Sequence, residues 1–191
     1  ALHGLSNMTE TEKSAYSILK EWDYSMQAGS SAAAIFETLY REFIRCAFSD
    51  ELGEALFASY TGVASISRNA TDQIIDLQDS PWFDNVSTGD RVENMDINMT
   101  CAFSRAVADL QAALGDDPAS WEWGKIHHLV LKHPLSSVKI LERIFKLNPE
   151  SIPVGGSFHT VSPYSYEAGK TYDASFGSSH RHIYDVGNWD N

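Results

Sequence analysis

Basic residues and cysteines are scarce in this chain. Lys and Arg number 14 against 26 Asp and Glu over 191 residues, a formal charge of −12. A surface of that sign is repelled by phosphate backbones, which excludes ordinary nucleic-acid binding. No apolar run approaches the roughly 18–20 residues that span a bilayer, so a membrane role is not expected. A basic start followed by an apolar stretch, the pattern of a signal peptide, is also missing. Cys46 and Cys101 are the two cysteines. They fit no Cys-x-x-Cys arrangement, and they permit one disulfide or two small buried hydrophobes. The chain also lacks the His-Glu-x-x-His and Gly-x-Ser-x-Gly signatures of zinc hydrolases and α/β-hydrolases, and Gly155-Gly156 is not directly followed by the Gly-Lys-Ser/Thr of a phosphate loop.

What is present is helical over the first 115 residues. Thr9 and Glu12 have the spacing of a capping box, and Ala15, Ile18, Leu19 and Trp22 follow at helical intervals. Ser30 or Ser31 opens a second helix with a wide stripe of Ile35, Phe36, Leu39, Tyr40, Phe43, Ile44, Ala47 and Phe48. Glu37, Thr38, Arg41, Glu42 and Arg45 fall opposite that stripe, with Glu37 and Arg41 in the favourable order for an i,i+4 pair. Ser49, followed by Asp50 and Glu51, reads as the cap of a further helix. More helices are expected from about Val63 to Leu77 and from Asp90 to Leu114. The latter is closed by Gly115, and Pro118 prevents its continuation. Between them, residues 79–85 form a loop carrying Trp82 and Phe83.

The character changes past Trp121. Ile126 to Leu131 is short and branched, predicting a strand, and a short helix should run from Ser136 or Ser137 to Phe145. Further strands are expected at Ser157 to Ser162, Thr171 to Phe176 and Ser179 to Val186. Histidines are frequent here, but His127 and His128 point to opposite faces of a strand and cannot readily share a metal ion. Hydrogen-bonded core or interface positions suit them better, and no metal site or cofactor is expected. Asn7, Asn69, Asn85 and Asn98 begin Asn-x-Ser/Thr triplets, which matter only in a eukaryotic secretory setting.

Four segments in this last part carry a family likeness. They are Trp-Glu-Trp-Gly-Lys-Ile-His-His, Lys-His-Pro-Leu, Pro-Val-Gly-Gly-Ser-Phe-His-Thr-Val and Gly-Ser-Ser-His-Arg-His-Ile-Tyr-Asp-Val. In that order they resemble the late-middle part of the β-chain in the penicillin acylase (penicillin amidase) family of N-terminal-nucleophile hydrolases. The resemblance implies an α+β fold: a helical N-terminal two-thirds followed by a few β-strands, a partial piece of the αββα sandwich. It also implies one fragment over 1–191, mainly helical over 1–115 and mixed with strands over 121–191.

Family members hydrolyse the linear amide of an N-acylated compound without a cofactor. A serine at the first position of the β-chain attacks the carbonyl, and its α-amine, partly neutral near pH 7.7–8.0, takes the proton. This chain begins Ala1-Leu2-His3. Family members place an Asn and usually an aromatic soon after their serine. Ser30-Ser31-Ala32-Ala33 does not match, Ser157-Phe158-His159 has no Asn, and Gly4-Leu5-Ser6 is likewise not read as a self-cleavage point. No catalytic residue is therefore expected in this chain, which alone should be inactive. Cleft-lining candidates implied by the resemblance are Gly155, Gly156, His159, Thr160, Ser179 and Arg181, although Arg181 could equally serve in an ion pair. The implied partners are the remaining acylase α- and β-chain segments and a small N-acyl substrate. Exposed strand edges would otherwise favour association with a second copy. Family members also point to a bacterial periplasm or the cell exterior. The rival reading is a non-catalytic helical interaction module.

Overall fold

A computed structural model describes residues 8–77, 79–158, 160–178, 180, 182 and 187. The first helix, α1 (Glu10–Lys20), starts where the capping box places it: Thr9 accepts from the Glu12 N–H, and the Glu12 carboxylate takes the Thr9 N–H at 2.8 Å. Two orphan donors are satisfied by one pair of side chains. Ser30 caps α2 (Ser31–Thr61), its hydroxyl accepting from the Ala33 N–H at 3.2 Å.

The long helix departs from expectation at two places. Ser49 does not start a new helix, because α2 runs through it without a break. The interruption falls at Gly53, whose φ of 64° only a glycine adopts cheaply. Its supposedly polar side is also not a solvated face: Glu37, Thr38 and Glu42 are buried. Packing covers α2 on both sides, so its polar residues are drawn inward and must find partners there.

Helices α3 (Ala64–Leu77) and α4 (Met95–Leu114) follow. Asn94 caps α4 through the Ile97 N–H at 3.1 Å, and Gly115 ends it with a φ of 93°. The core lies where α1, α2 and α4 meet, around Ala15, Ile35, Leu39, Phe43, Phe103, Val107 and Leu110. Alanines 33, 34, 47, 102 and 106 are fully buried, so the α2 and α4 backbones approach closely. The loop before α4 is not a loose one. Phe83 sits in the core beside Phe43, and Asn98 donates to its carbonyl at 2.6 Å. Among the described residues, no helix is long and apolar enough to cross a membrane.

The remainder carries little regular structure. A short antiparallel pair, β1 (His128–Leu129) and β2 (Ile152–Pro153), joins His128 to Pro153 and Leu129 to Ile152. Helix α5 (Lys139–Phe145) lies between them, as expected in outline. The strand expected over Ile126 to Leu131 thus shrinks to two residues. The one expected over Ser157 to Ser162 is replaced by a turn, and the one over Thr171 to Phe176 by a loop with one bridge from Phe176 to Ser165. A strand needs a neighbour to take its backbone hydrogen bonds. Here those groups bond to side chains and loops instead. The segment from Ser179 to Val186 lies largely outside the described residues. The outcome is a helical α+β piece, with helices dominating more than the sequence implies.

Phe103 is fully buried between α1 and α2, its ring meeting that of Tyr16 edge-on at 6.5 Å. Phe103→Ala is expected to lower unfolding free energy by about 3–5 kcal/mol. Urea titration followed by circular dichroism measures it, and a loss below about 1 kcal/mol would show that this site is not the packed centre.

Candidate functional site

The glycine pair is held by a strap of chain between α1 and α2. Gly156 donates its N–H to the Met26 carbonyl at 2.6 Å, and Gly124 donates to Ala28 at 2.6 Å. Trp123 donates its backbone N–H to Ser30 at 3.2 Å, and its indole Nε1 reaches the Gly156 carbonyl at 2.9 Å. Residues 123–124, 26–30 and 155–156 are thereby sewn together before α2 begins. No Cβ fits at the pair. One added to Gly155 would lie 2.4 Å from the Met26 carbonyl oxygen, and one on Gly156 would lie 2.0 Å from that of Ser162. Gly156 also has a φ of 84°.

Beyond the pair the chain turns back on itself. The Thr160 hydroxyl accepts from the Ser157 N–H at 2.9 Å, with the carbonyls of Ser162 (2.7 Å) and Ser157 (3.0 Å) in reach of its proton. Ser157 is buried, and its own hydroxyl has no hydrogen-bond partner among the described residues. Gly155, Gly156 and Thr160 line one open hollow of about 780 Å³ together with Tyr24 and Tyr164. Thr160 and Ser157 also border a second cavity of about 650 Å³, walled by Tyr16, Leu19, Trp22, Phe36 and Met99. Tyr24, exposed and with a φ of 64°, stands at the edge of both.

The polar end of the second cavity was not read from sequence. Glu37 on α2 does not pair with Arg41 but with Arg68 on α3, at 3.1 Å and with both side chains buried. Arg41 turns to Glu42 and Asp109 instead. The Tyr166 hydroxyl donates to the Glu37 carboxylate at 2.8 Å, and burial together with that carboxylate raises its pKa well above the usual phenol value. Tyr40 donates to Asp72 at 2.7 Å, completing the polar rim. The signal for this network would have been a lone Arg68 on the α3 face that also carries Thr71 and Ile74.

Behind the glycine pair lies an aromatic box. His127 is wholly buried and stacks on Trp123 with ring centroids 4.4 Å apart, while Tyr166 and Tyr172 close the sides. Its Nδ1 faces the Tyr172 carbonyl, which only accepts, so the neutral ring carries its proton there. Burial pushes the imidazole pKa down, partly offset by the Tyr172 carbonyl and the Glu37 carboxylate. His127 is therefore a core histidine and His128 a half-buried one, as their positions imply.

Three of the six sequence candidates, Gly155, Gly156 and Thr160, thus converge on one cleft. His159, Ser179 and Arg181 lie outside the described residues.

Comparison with known proteins gives this geometry a context. The family model for penicillin amidase matches residues 1–191. The chain belongs to the penicillin amidase family. It is 25% identical over 179 residues to an acyl-homoserine lactone acylase QuiP of Pseudomonas syringae pv. syringae, an alignment covering 91% of this chain and 21% of that protein. With QuiP of Pseudomonas putida the identity is 28% over 173 residues, covering 88% and 21%. With a penicillin acylase 2 proenzyme of a Pseudomonas species it is 27% over 173 residues, covering 89% and 21%. The chain therefore spans about a fifth of the length of these penicillin amidase relatives.

Two expectations follow from the cleft. Gly156→Ala places a methyl group against backbone and strains a left-handed residue, so the melting temperature should fall steeply. Gly29→Ala, which meets nothing within 4 Å, should leave it nearly unchanged. Equal shifts in the two variants would refute the tight approach. The second concerns acid. The unfolded chain binds a proton at His127 near pH 6.5, whereas the folded chain binds it only at lower pH. Stability from this group is full above about pH 6.5 and declines as pH falls toward the depressed folded value. His127→Gln should flatten that limb of the stability–pH curve, and an unchanged slope would count against a neutral buried ring.

Proposed function

We propose that this chain is the scaffolding and cleft-lining part of an amidohydrolase that cleaves the linear amide of an N-acylated compound. The nucleophile is an N-terminal serine on a stretch outside this chain. Its hydroxyl attacks the carbonyl, its α-amine takes the proton, and an acyl-enzyme forms and is hydrolysed. The observation that carries the reading is the match to penicillin amidase along all 191 residues. The hydroxyls beside the glycine pair support it. Thr160 is committed to backbone groups, and the buried Ser157 hydroxyl meets no hydrogen-bonding base among the described residues. Both have positions suited to shaping a cleft rather than attacking a carbonyl.

The names of the relatives favour an N-acyl homoserine lactone over a β-lactam as the substrate class. Here the scissile bond is the amide joining the acyl chain to the lactone ring. The rest of the acylase is the proposed partner. Helix α5 supports this, since it buries none of its residues and leaves Ile140, Ile144 and Phe145 about two-thirds exposed. Apolar side chains grouped in this way mark an interface. The placing of this acylase in a bacterial periplasm or outside the cell belongs to the same proposal.

A hydrolysis assay with a chromogenic phenylacetyl amide and with an N-acyl homoserine lactone tests the reading. The isolated chain should show no turnover of either. The full-length protein should hydrolyse at least one and lose that activity when its N-terminal β-chain serine is changed to alanine. Turnover by the isolated chain that survives purification would refute the assignment of the nucleophile. An inactive full-length protein would favour a binding module.

A further inference from the structure

Cys46 on α2 and Cys101 on α4 face one another across the most closely packed helix pair in the fold. The Cys46 thiol donates to the Cys101 sulfur at 3.3 Å, and both cysteines are free. The approach is set by their neighbours in sequence. Ala47 and Ala102, each next to one of the cysteines, are fully buried, as is Ala106 one turn further along α4. Small side chains at that seam bring the backbones together and leave two sulfurs at its margin. Closing the gap to a covalent bond of about 2.05 Å requires a movement of roughly one ångström.

We propose that Cys46 and Cys101 are a dithiol site that an external disulfide oxidises, locking α2 to α4. The two sulfurs differ in the way such a reaction requires. Cys101 is exposed, while Cys46 is partly buried behind it. The hydrogen bond from Cys46 carries the Cys101 thiol down to about 6, against the opposing effect of burial, and the Arg105 guanidinium assists. Arg105 lies 3.7 Å from the Cys46 sulfur, so one positive charge serves the pair, with the Glu42 carboxylate opposing it. A thiolate, not a thiol, is the attacking form.

The steps balance with a disulfide as co-reactant. The Cys101 thiolate attacks one sulfur of the incoming disulfide and expels the other as a thiolate, which takes up a proton. Cys46 then loses its proton and attacks the Cys101 sulfur, expelling the second external thiol. Two protein thiols are oxidised, one external disulfide is reduced to two thiols, and one sulfur–sulfur bond joins the helices. The link closes a chain segment containing α3 and the loop after it, which limits the unfolded ensemble.

The test uses the native full-length protein in glutathione buffers of defined ratio, followed by acid quenching, alkylation and non-reducing tryptic mapping. Residues 46–68 and 92–105 form two tryptic peptides, each holding one of these cysteines. Under oxidising buffer they should appear as one linked species that dithiothreitol separates. Cys46→Ser should instead trap glutathione on Cys101. The oxidised protein should melt roughly 5 °C above the reduced form, a difference absent from Cys46→Ser. Recovery of both peptides unlinked from oxidised native protein overturns the proposal. So does linkage that forms only in urea, or oxidation that leaves the melting temperature unchanged.

Discussion

The buried carboxylate of Glu37 is the contact on which the arrangement of the remaining parts depends. It projects from the middle of α2 and is met by the Arg68 guanidinium of α3 at 3.1 Å and by the Tyr166 hydroxyl of the C-terminal region at 2.8 Å. The Tyr166 hydroxyl also lies 3.2 Å from the Glu37 main-chain oxygen. Three segments distant in sequence therefore share one anion. Taking two charges out of water costs several kcal/mol each, and their attraction returns this only when the remaining hydrogen-bonding sites are filled. The cation is further held over the rings of Tyr40 and Tyr166, each about 5.1 Å from the guanidinium carbon. Such a network adds little net stability compared with an apolar substitute. Its value is selectivity, because any other placement of α3 or of Tyr166 strands a charge in the core.

That selectivity matters most for the region after Trp121, where regular structure is sparse. The glycine pair is tied to the strap before α2 by backbone bonds, and Trp123 holds it from the other side through its indole. Trp123 in turn packs against His127, Tyr166 and Tyr172. Tyr166 thus belongs both to the aromatic box behind Gly156 and to the ion-pair cluster on α2. The cleft is positioned by directed contacts to the helical layer, not by a sheet. A change at Glu37 would therefore be felt at Gly156 through the rings of Tyr166 and Trp123, which contact each other and hydrogen-bond to Glu37 and Gly156 respectively.

The helices were legible because their signals are local. A capping box at Thr9, a hydroxyl cap at Ser30 and a glycine stop at Gly115 all work within one turn of chain. Gly155 and Gly156 stand where backbone approaches closely, which gives a physical reason for glycine at both positions. What escaped was long-range. Glu37 and Glu42 look like members of a solvated face because periodicity records one apolar stripe and cannot say that a second layer covers the other side. The Ser49–Asp50–Glu51 sequence has the composition of a helix start, yet continuing the helix satisfies the same backbone groups, and Gly53 is the first residue able to break it. The strands failed for a related reason: alternation and branching favour extended chain but do not supply the adjacent strand that would make it a sheet.

The contrast between the two halves follows from where each kind of backbone finds its partners. Helical residues satisfy their N–H and C=O groups within four positions, so α1 to α4 need each other only to bury their apolar faces. Extended residues depend on neighbours that lie elsewhere in the chain or outside it. Residues 157–176 meet that need with hydroxyl-to-backbone bonds at Thr160 and with the bridge from Ser165 to Phe176. Leu131, Val138, Ile140 and Phe145, on and around α5, have no such local remedy and stay exposed. The helical layer is thus self-sufficient in hydrogen bonding and nearly so in packing, while the region around α5 retains surface to bury.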